Sequence, residues 1–295
     1  MMAQSFITAW LLPLALAFIM FGIGLSLTLA DFKRLGKRPA MVFIGLLGQL
    51  LLMPALAFLL AWILQLPEPI AIGMLLLAAC PGGTMSNVMS QLLRADLALS
   101  VSLTALSTIG CILTTPVILH LAIEGFGHTT APVVNVAHIT LGILIIALVP
   151  VGLGMLFNAF LPKPAQKLEP NFQRFSLLFL CVLVVGMVVK EWDLLMQTGV
   201  LLLCSALLLS FATSALGWLS GAACRADSPV TRTLCIEIGV QNAALAMVIA
   251  LSFLHTPAYS VFAGLYGIVM YLAPWLLISL LCPPSRKVSG VNAPS

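Results

Sequence analysis

The sequence predicts an all-helical, polytopic membrane protein, and three observations carry that expectation. Of 295 residues, 61% are hydrophobic and only 7% charged, against about 25% charged in a soluble globular domain. The apolar residues fall into long runs, and a bilayer core about 30 Å thick needs about 20 apolar residues per helix. The few basic residues are placed so that nearly all of them meet on one side of an alternating set of spans.

Nine segments are long and apolar enough, near 5–30, 40–65, 70–93, 96–122, 132–160, 172–190, 194–223, 229–254 and 257–282. If they alternate, Lys33, Arg34, Lys37, Arg38, Arg94, Lys163, Lys167, Arg174, Arg225, Arg232, Arg286 and Lys287 share one side. That is 12 of the 13 basic residues, with Lys190 alone opposite. Cytoplasmic loops accumulate Lys and Arg, so the crowded side is read as inside. The amino terminus is then outside and the carboxyl terminus cytoplasmic, which requires an odd number of spans. The same placement accounts for the net charge of +4 without a nucleic-acid partner.

The first span is preceded by no basic residue and followed by "DFKRLGKR", the reverse of a secretory signal, so it is expected to stay as a helix. The second carries one amide, Gln49, which needs company in hydrocarbon. The third is interrupted by "CPGGTMSNVMSQ" at 80–91. Pro81 lacks an amide hydrogen and Gly82 and Gly83 follow it, so the helix is expected to break near 81–83. A new helix would open near Thr84, and its unpaired amides and positive dipole suit an anion. A simple proline kink relieved by Ser and Thr is the competing reading.

The fourth span places Ser100, Thr104 and Thr108 at i, i+4, i+8, on one face; for Thr108, bonding to a neighbouring helix is the preferred account. Pro116, Pro150 and Pro274 are read as ordinary kinks. Loops are expected to be short, the longest at 124–132 and 161–171, with no appended soluble domain. The seven cysteines, Cys80, Cys111, Cys181, Cys204, Cys224, Cys235 and Cys282, show no C-x-x-C spacing and read as small apolar residues. The scattered His120, His128, His138 and His255 read as structural.

The eighth span holds Glu237, the one acid of nine expected well inside a span. An ionised carboxylate there costs on the order of 3 kcal/mol on insertion scales, so it needs a partner. Arg232 is five residues away, a poor same-helix spacing. A proton, a bound cation, a cation site built with other helices and plain hydrogen bonding of a protonated acid all stay open. In "EIGVQN", Gly239 permits unwinding while Gln241 and Asn242 bring amide oxygens, a set suited to a hard cation and not to a transition metal. "GGTMSN" and "GVQN" lie in spans of opposite direction. Interrupted helices at corresponding places of an inverted repeat mark the binding site of secondary transporters.

"MFGIGLSL" (20–27), "CPGGTMSNV" (80–88), "ADLALSVSLTALST" (95–108) and "EIGVQN" (237–242), in this order and spacing, resemble the bile acid:sodium symporter family over nearly the whole chain. The resemblance implies an inverted-repeat fold with two broken, crossing helices. Spans two to four and seven to nine (about 40–122 and 194–282) would form a core, and spans one, five and six (about 5–30 and 132–190) a panel. Residues 1–287 would make one transporter unit, and 288–295 a cytoplasmic tail. The first span resembles the family's second, so the first helix of the ten-helix bacterial pattern has no counterpart.

Carried over, one sodium site resembles Ser86, Asn87, Ser100, Thr104 and Glu237. A second resembles Gln49, Glu237 and Gln241 with the backbone carbonyls of Ile238 and Val240. Two sodium ions are therefore expected, and no catalytic residue. The amides around Gly83 and Thr84, with Asn242, would hold a substrate carboxylate. The resemblance implies sodium-coupled symport of an organic anion across a bacterial inner membrane. A small hydroxy or keto acid such as pantoate or ketopantoate is favoured, with a bile acid or other steroid-type anion as the alternative. A proton-coupled carrier using Glu237 is a further reading. A channel would show a pore-lining run of like groups, and a hydrolase a nucleophile–base constellation; the spans contain neither.

Overall fold

A computed structural model describes residues 6–28, 38–127 and 136–282. Asp31, Lys33, Arg34, Lys37, His128, Arg286, Lys287 and the tail 288–295 lie outside the described residues. The described chain is helical without strands. Its elements are α1 (Ile7–Ser26), α2 (Pro39–Ile63), α3 (Glu68–Ala78), α4 (Thr84–Leu92), α5 (Leu97–Phe126), α6 (Ala137–Phe160), α7 (Pro162–Lys190), α8 (Trp192–Ala223), α9 (Ser228–Gly239), α10 (243–253) and α11 (Pro257–Leu281).

Eight helical segments among the described residues are long and apolar enough to cross a membrane, with α9 and α10 taken as one of them. The expectation of nine is corrected at the third, which is split into α3 and α4, both too short to count alone. The helix ends at Ala78, a turn earlier than expected. The Pro81 ring opposes the carbonyl four residues back, and the residue before a proline is pushed out of helical geometry. A second correction falls at 161–171, expected as a loop: only Leu161 separates α6 from α7. Pro162 and Pro164 sit in the first turn of α7, where their missing N–H groups have no intrahelical partner to lose.

Four helices end on a non-glycine residue in left-handed geometry: Gln65 (φ 47°), Arg94 (φ 54°), Arg225 (φ 52°) and His255 (φ 51°). After the first three, an amide reaches back five residues, from Leu66 to Ala61 O, Ala95 to Ser90 O and Ala226 to Gly221 O, the closing bond of a Schellman cap. Thr256 reaches back six, to Ala250 O, because the helix widens over Ile249–Phe253. Residues 39–126 and 192–281 thus repeat one succession. A long helix and left-handed cap lead to two short helices around a break, then a second such cap and another long helix.

Side chains on the outside are large and apolar, as at Leu113, Val117 and Leu121, four apart along α5. Such a band would be a liability in water and matches hydrocarbon. The α9–α10 segment is the innermost crossing, with 94% of its apolar window buried in protein. It packs on α8, α5 and α11. Asp227 caps α9 by accepting from Val230 N at 3.1 Å, and Arg38 grips the same carboxylate at 2.9 and 3.2 Å. The guanidinium hydrogen bond holds the Asp227 carboxyl below its usual range.

α1 lies against α6 and α7. The contact with α6 is backbone on backbone: a Cβ on Gly24 would meet Val151 O and lie 2.8 Å from Gly154 Cα, and a Cβ on Gly154 would meet Phe21 O. Small residues let membrane helices approach this closely. Gly24→Leu is therefore expected to lower the thermal midpoint of the detergent-purified protein, at a cost of about 1–3 kcal/mol. Gly152→Leu, where a Cβ meets nothing within 4 Å, should leave the midpoint near wild type. Equal midpoints for the two variants would refute this packing.

Candidate cation and anion site

The two breaks touch. Asn242 N donates to Pro81 O at 2.9 Å, so the nonhelical stretches 79–83 and 240–242 cross and satisfy part of each other's freed backbone. Gly82 is tightly enclosed: a Cβ there would lie 3.1 Å from Gln49 Nε2 and from Glu237 Oε2, so those groups would have to give way by a few tenths of an ångström. Gly83, singled out from sequence, has ordinary room, its nearest neighbour being Asn242 Cα at 3.7 Å. Gly239, expected to permit unwinding, keeps a negative φ; its lack of a side chain instead admits Ser214 Oγ from α8.

Glu237 is 1% exposed and joins no ion pair among the described residues. Ser100 Oγ donates to its Oε1 at 2.5 Å and Thr104 Oγ1 to its Oε2 at 2.9 Å. Ser100 Oγ also lies 2.9 Å from Asn87 Oδ1. One hydroxyl proton cannot serve both acceptors, so more oxygen converges here than the protein's own hydrogens can satisfy. Ser86 Oγ donates to Gly83 O at 2.8 Å and sits 3.5 Å from Thr104 Oγ1. Ser86, Asn87, Ser100, Thr104 and Glu237, drawn from three helices, thus meet in one buried cluster.

Gln49 stands beside Gly82, and Gln241 lies in the second break. Gln49 Nε2 donates to Glu237 O at 3.1 Å, and Gln241 Nε2 to Ile238 O at 3.3 Å. The Oε1 atoms of both are buried with no hydrogen-bond partner. An unsatisfied buried acceptor costs about 1–3 kcal/mol, and two of them near the crossing suit a positively charged ligand. Gln49 is presented by a widened turn of α2, Gly48–Leu52, a distortion frequent at functional sites. Val240 between them is extended, with φ −108° and ψ 117°. The donor set is all oxygen, as a hard cation prefers. Among the described residues no His, Cys, Asp and Glu group suits a transition metal.

Thr84 opens α4 as expected, with Gly83 at its cap position. Thr84 and Asn242 line one small cavity of about 30 Å³. Asn242 Oδ1 is committed to capping α10 through Leu245 N at 3.0 Å, so only its amide nitrogen faces a ligand. Thr108 corrects the expectation of a bond between helices: its hydroxyl donates to Thr104 O at 2.7 Å, within its own helix.

Arg232, set aside as a same-helix partner for Glu237, has a different set of partners, and Ser90 and Met53 were not among the expected site residues. Arg232 is 4% exposed and donates to Leu93 O, Arg94 O and Cys282 O, placing its charge at the carboxyl end of α4 and α11, where helix dipoles favour it. Ser90 Oγ donates to Ser100 Oγ at 3.0 Å; its spacing of four from Ser86 was the available signal. Met53, whose sulfur lies 2.8 Å from Gln241 Nε2, carried none.

The sequence profile of the Sodium Bile acid symporter family matches residues 13–198. The chain is 34% identical over 270 residues to YocS of Bacillus subtilis (strain 168), named an uncharacterized sodium-dependent transporter, covering 90% of this chain and 81% of that protein. It is 32% identical over 263 residues to the probable chloroplastic sodium/metabolite cotransporter BASS2 of Oryza sativa subsp. japonica, covering 89% of this chain and 61% of that protein. A sodium-dependent organic anion transporter of Mus musculus is 32% identical over 269 residues, with coverages of 88% and 70%. These relatives are named as transporters and not as enzymes.

Proposed function

This chain belongs to the sodium bile acid symporter family, and on that premise we propose that it is a sodium-coupled symporter taking up a small organic anion by alternating access. The observation that carries the reading is Glu237, buried without a cationic side chain in a nest of oxygens. Two sodium ions are the cargo that would complete it. One would sit among Ser86, Asn87, Ser100, Thr104 and Glu237. The other would sit among Gln49, Glu237 and Gln241 with the carbonyls of Ile238 and Val240. Sharing Glu237 couples the two, since each ion helps hold the other's ligand in place.

Sodium would tie α4, α5 and α9 together and so fix the crossing of the breaks. The amides at Gly83 and Thr84 and the Asn242 side chain would then be ordered for a carboxylate. Among the described residues the one buried guanidinium, Arg232, is engaged by three carbonyls, which suits a weak monoanion better than a phosphate. We assign α2–α5 and α8–α11 to a core that moves against a panel of α1, α6 and α7. The crowding of basic residues on one side of the spans supports a cytoplasmic carboxyl terminus and an outside amino terminus, and we assign the chain to a bacterial inner membrane. Pantoate or ketopantoate is the favoured substrate.

Radiolabelled uptake into proteoliposomes tests this with pantoate, ketopantoate, pyruvate and taurocholate. An inward sodium gradient is expected to drive accumulation of a small acid at least tenfold above a potassium control. Equal uptake in the two media, or uptake driven by a proton gradient alone, would overturn the proposal.

A further inference from the structure

We propose that the face of α7 carrying Glu169, Gln173 and Ser176 selects the anion by accepting a hydrogen bond from its carbon chain, so that the preferred substrate is a small carboxylate bearing a hydroxyl. The inference rests on the reading of the chain as an anion symporter, and it assigns a selecting role to residues that reading leaves unused.

Residues 169, 173 and 176 are spaced i, i+4, i+7 and share one side of the helix. That side faces the broken helices. Glu169 and Gln173 line a cavity of about 10 Å³ with Ser26, Thr84 and Asn87. Ser176 lines the neighbouring one with Thr84 and Asn242. Thr84 is on the wall of both. The register of α7 is fixed by Phe172, whose ring packs 4.3 Å from Phe18 and 5.6 Å from Phe21 between centroids. Gly22 leaves the space, since a Cβ there would lie 2.5 Å from Phe172 Cβ.

Hydrogen-bonding capacity is divided by polarity across these cavities. Asn87 and Asn242 are 9% and 7% exposed. Each turns its oxygen inward, Asn87 Oδ1 to within 2.9 Å of Ser100 Oγ and Asn242 Oδ1 to the Leu245 amide. Among the described residues, neither amide nitrogen has an acceptor. On the opposite wall Gln173 Nε2 donates to Glu169 Oε1 at 3.2 Å, and among the described residues Glu169 Oε2 receives no donor. Donors on the α4 and α10 side suit a carboxylate; an acceptor on the α7 side suits a group that can donate. A 2-hydroxy acid supplies both. A 2-keto acid would set its carbonyl oxygen against the Glu169 carboxylate, and sites built to bond a hydroxyl discriminate strongly against analogues lacking it.

The test is ligand-induced stabilisation of the purified protein, titrated with 2-hydroxyisovalerate, 2-oxoisovalerate, isovalerate and valine, in sodium chloride and in potassium chloride. The wild type is expected to bind the hydroxy acid at least tenfold more tightly than the keto acid. Glu169→Ala should erase that ratio, Glu169→Gln should keep part of it through its amide oxygen, and the stabilisation by sodium alone should be unchanged in both. An unchanged ratio in Glu169→Ala, a wild type that prefers the keto acid, tighter binding of valine, or no stabilisation by any acid would each overturn the assignment. Discrimination that is equal in the two salts would count against sodium coupling while leaving the role of Glu169 standing.

Discussion

Glu237→Gln is expected to abolish sodium-driven uptake while leaving the protein folded. The substitution keeps the shape and an oxygen for Ser100 or Thr104, whose hydroxyls now bond the carboxylate at 2.5 and 2.9 Å, removes the charge, and sets an amide nitrogen against the other hydroxyl, which can turn to accept from it. Losing the charged partner of a buried ion costs on the order of 3 kcal/mol, about 100-fold in affinity at 1.4 kcal/mol per decade. Because both proposed sites share this carboxylate, the two ions should weaken together. Sodium that binds the folded state raises its stability by mass action. The wild type should therefore melt higher in sodium than in potassium chloride, and the variant equally in both. Its midpoint in potassium is expected to match or exceed the wild type's, since a buried, uncompensated charge is gone. A variant that still accumulates substrate on a sodium gradient would remove Glu237 from the mechanism.

Gly82→Ala carries the second large effect. Its methyl group would stand 3.1 Å from both Gln49 Nε2 and Glu237 Oε2 and 3.5 Å from Thr104 Oγ1, inside the space where the two oxygen clusters meet. Relieving such a contact costs about 1–3 kcal/mol, here by displacing the groups proposed to hold sodium. The apparent sodium affinity is expected to fall at least tenfold. Gly83→Ala, with its nearest neighbour at 3.7 Å and an extended φ of −113°, should stay within about threefold of wild type on the same scale. Sodium titration of uptake for the pair checks this, and equal losses would mean that the break needs glycine for its backbone and not for the site.

Much of the architecture was legible because hydrocarbon permits few solutions. Apolar run length marked the crossings, and Pro81 with its glycines marked the break. The isolated acid in the eighth span marked the candidate site. Legibility failed where neighbours override local chemistry. Prolines near 162–170 read as a loop, yet the first-turn position of two of them lets α7 begin at once after Leu161. Thr108 shares a face with Ser100 and Thr104 but turns back on its own helix. The choice between Gly82 and Gly83 could not be made from "PGG", because the difference is what stands opposite each.

Composition, apolar run length and the prolines and glycines along the chain led to the expectation that it lives in a membrane, that it is helical, that its third span is interrupted near Pro81, and that Glu237 must find a partner there. Those conclusions follow from solvation, which acts on each residue whatever its neighbours do. Only the tertiary structure decided that Asn242 N closes on Pro81 O and that the Gln49 and Gln241 oxygens are left over. It also turned the Glu169 face of α7 toward the breaks. Such facts concern pairs of groups brought together from distant parts of the chain, and no pattern along the chain records which orphaned atom will meet which.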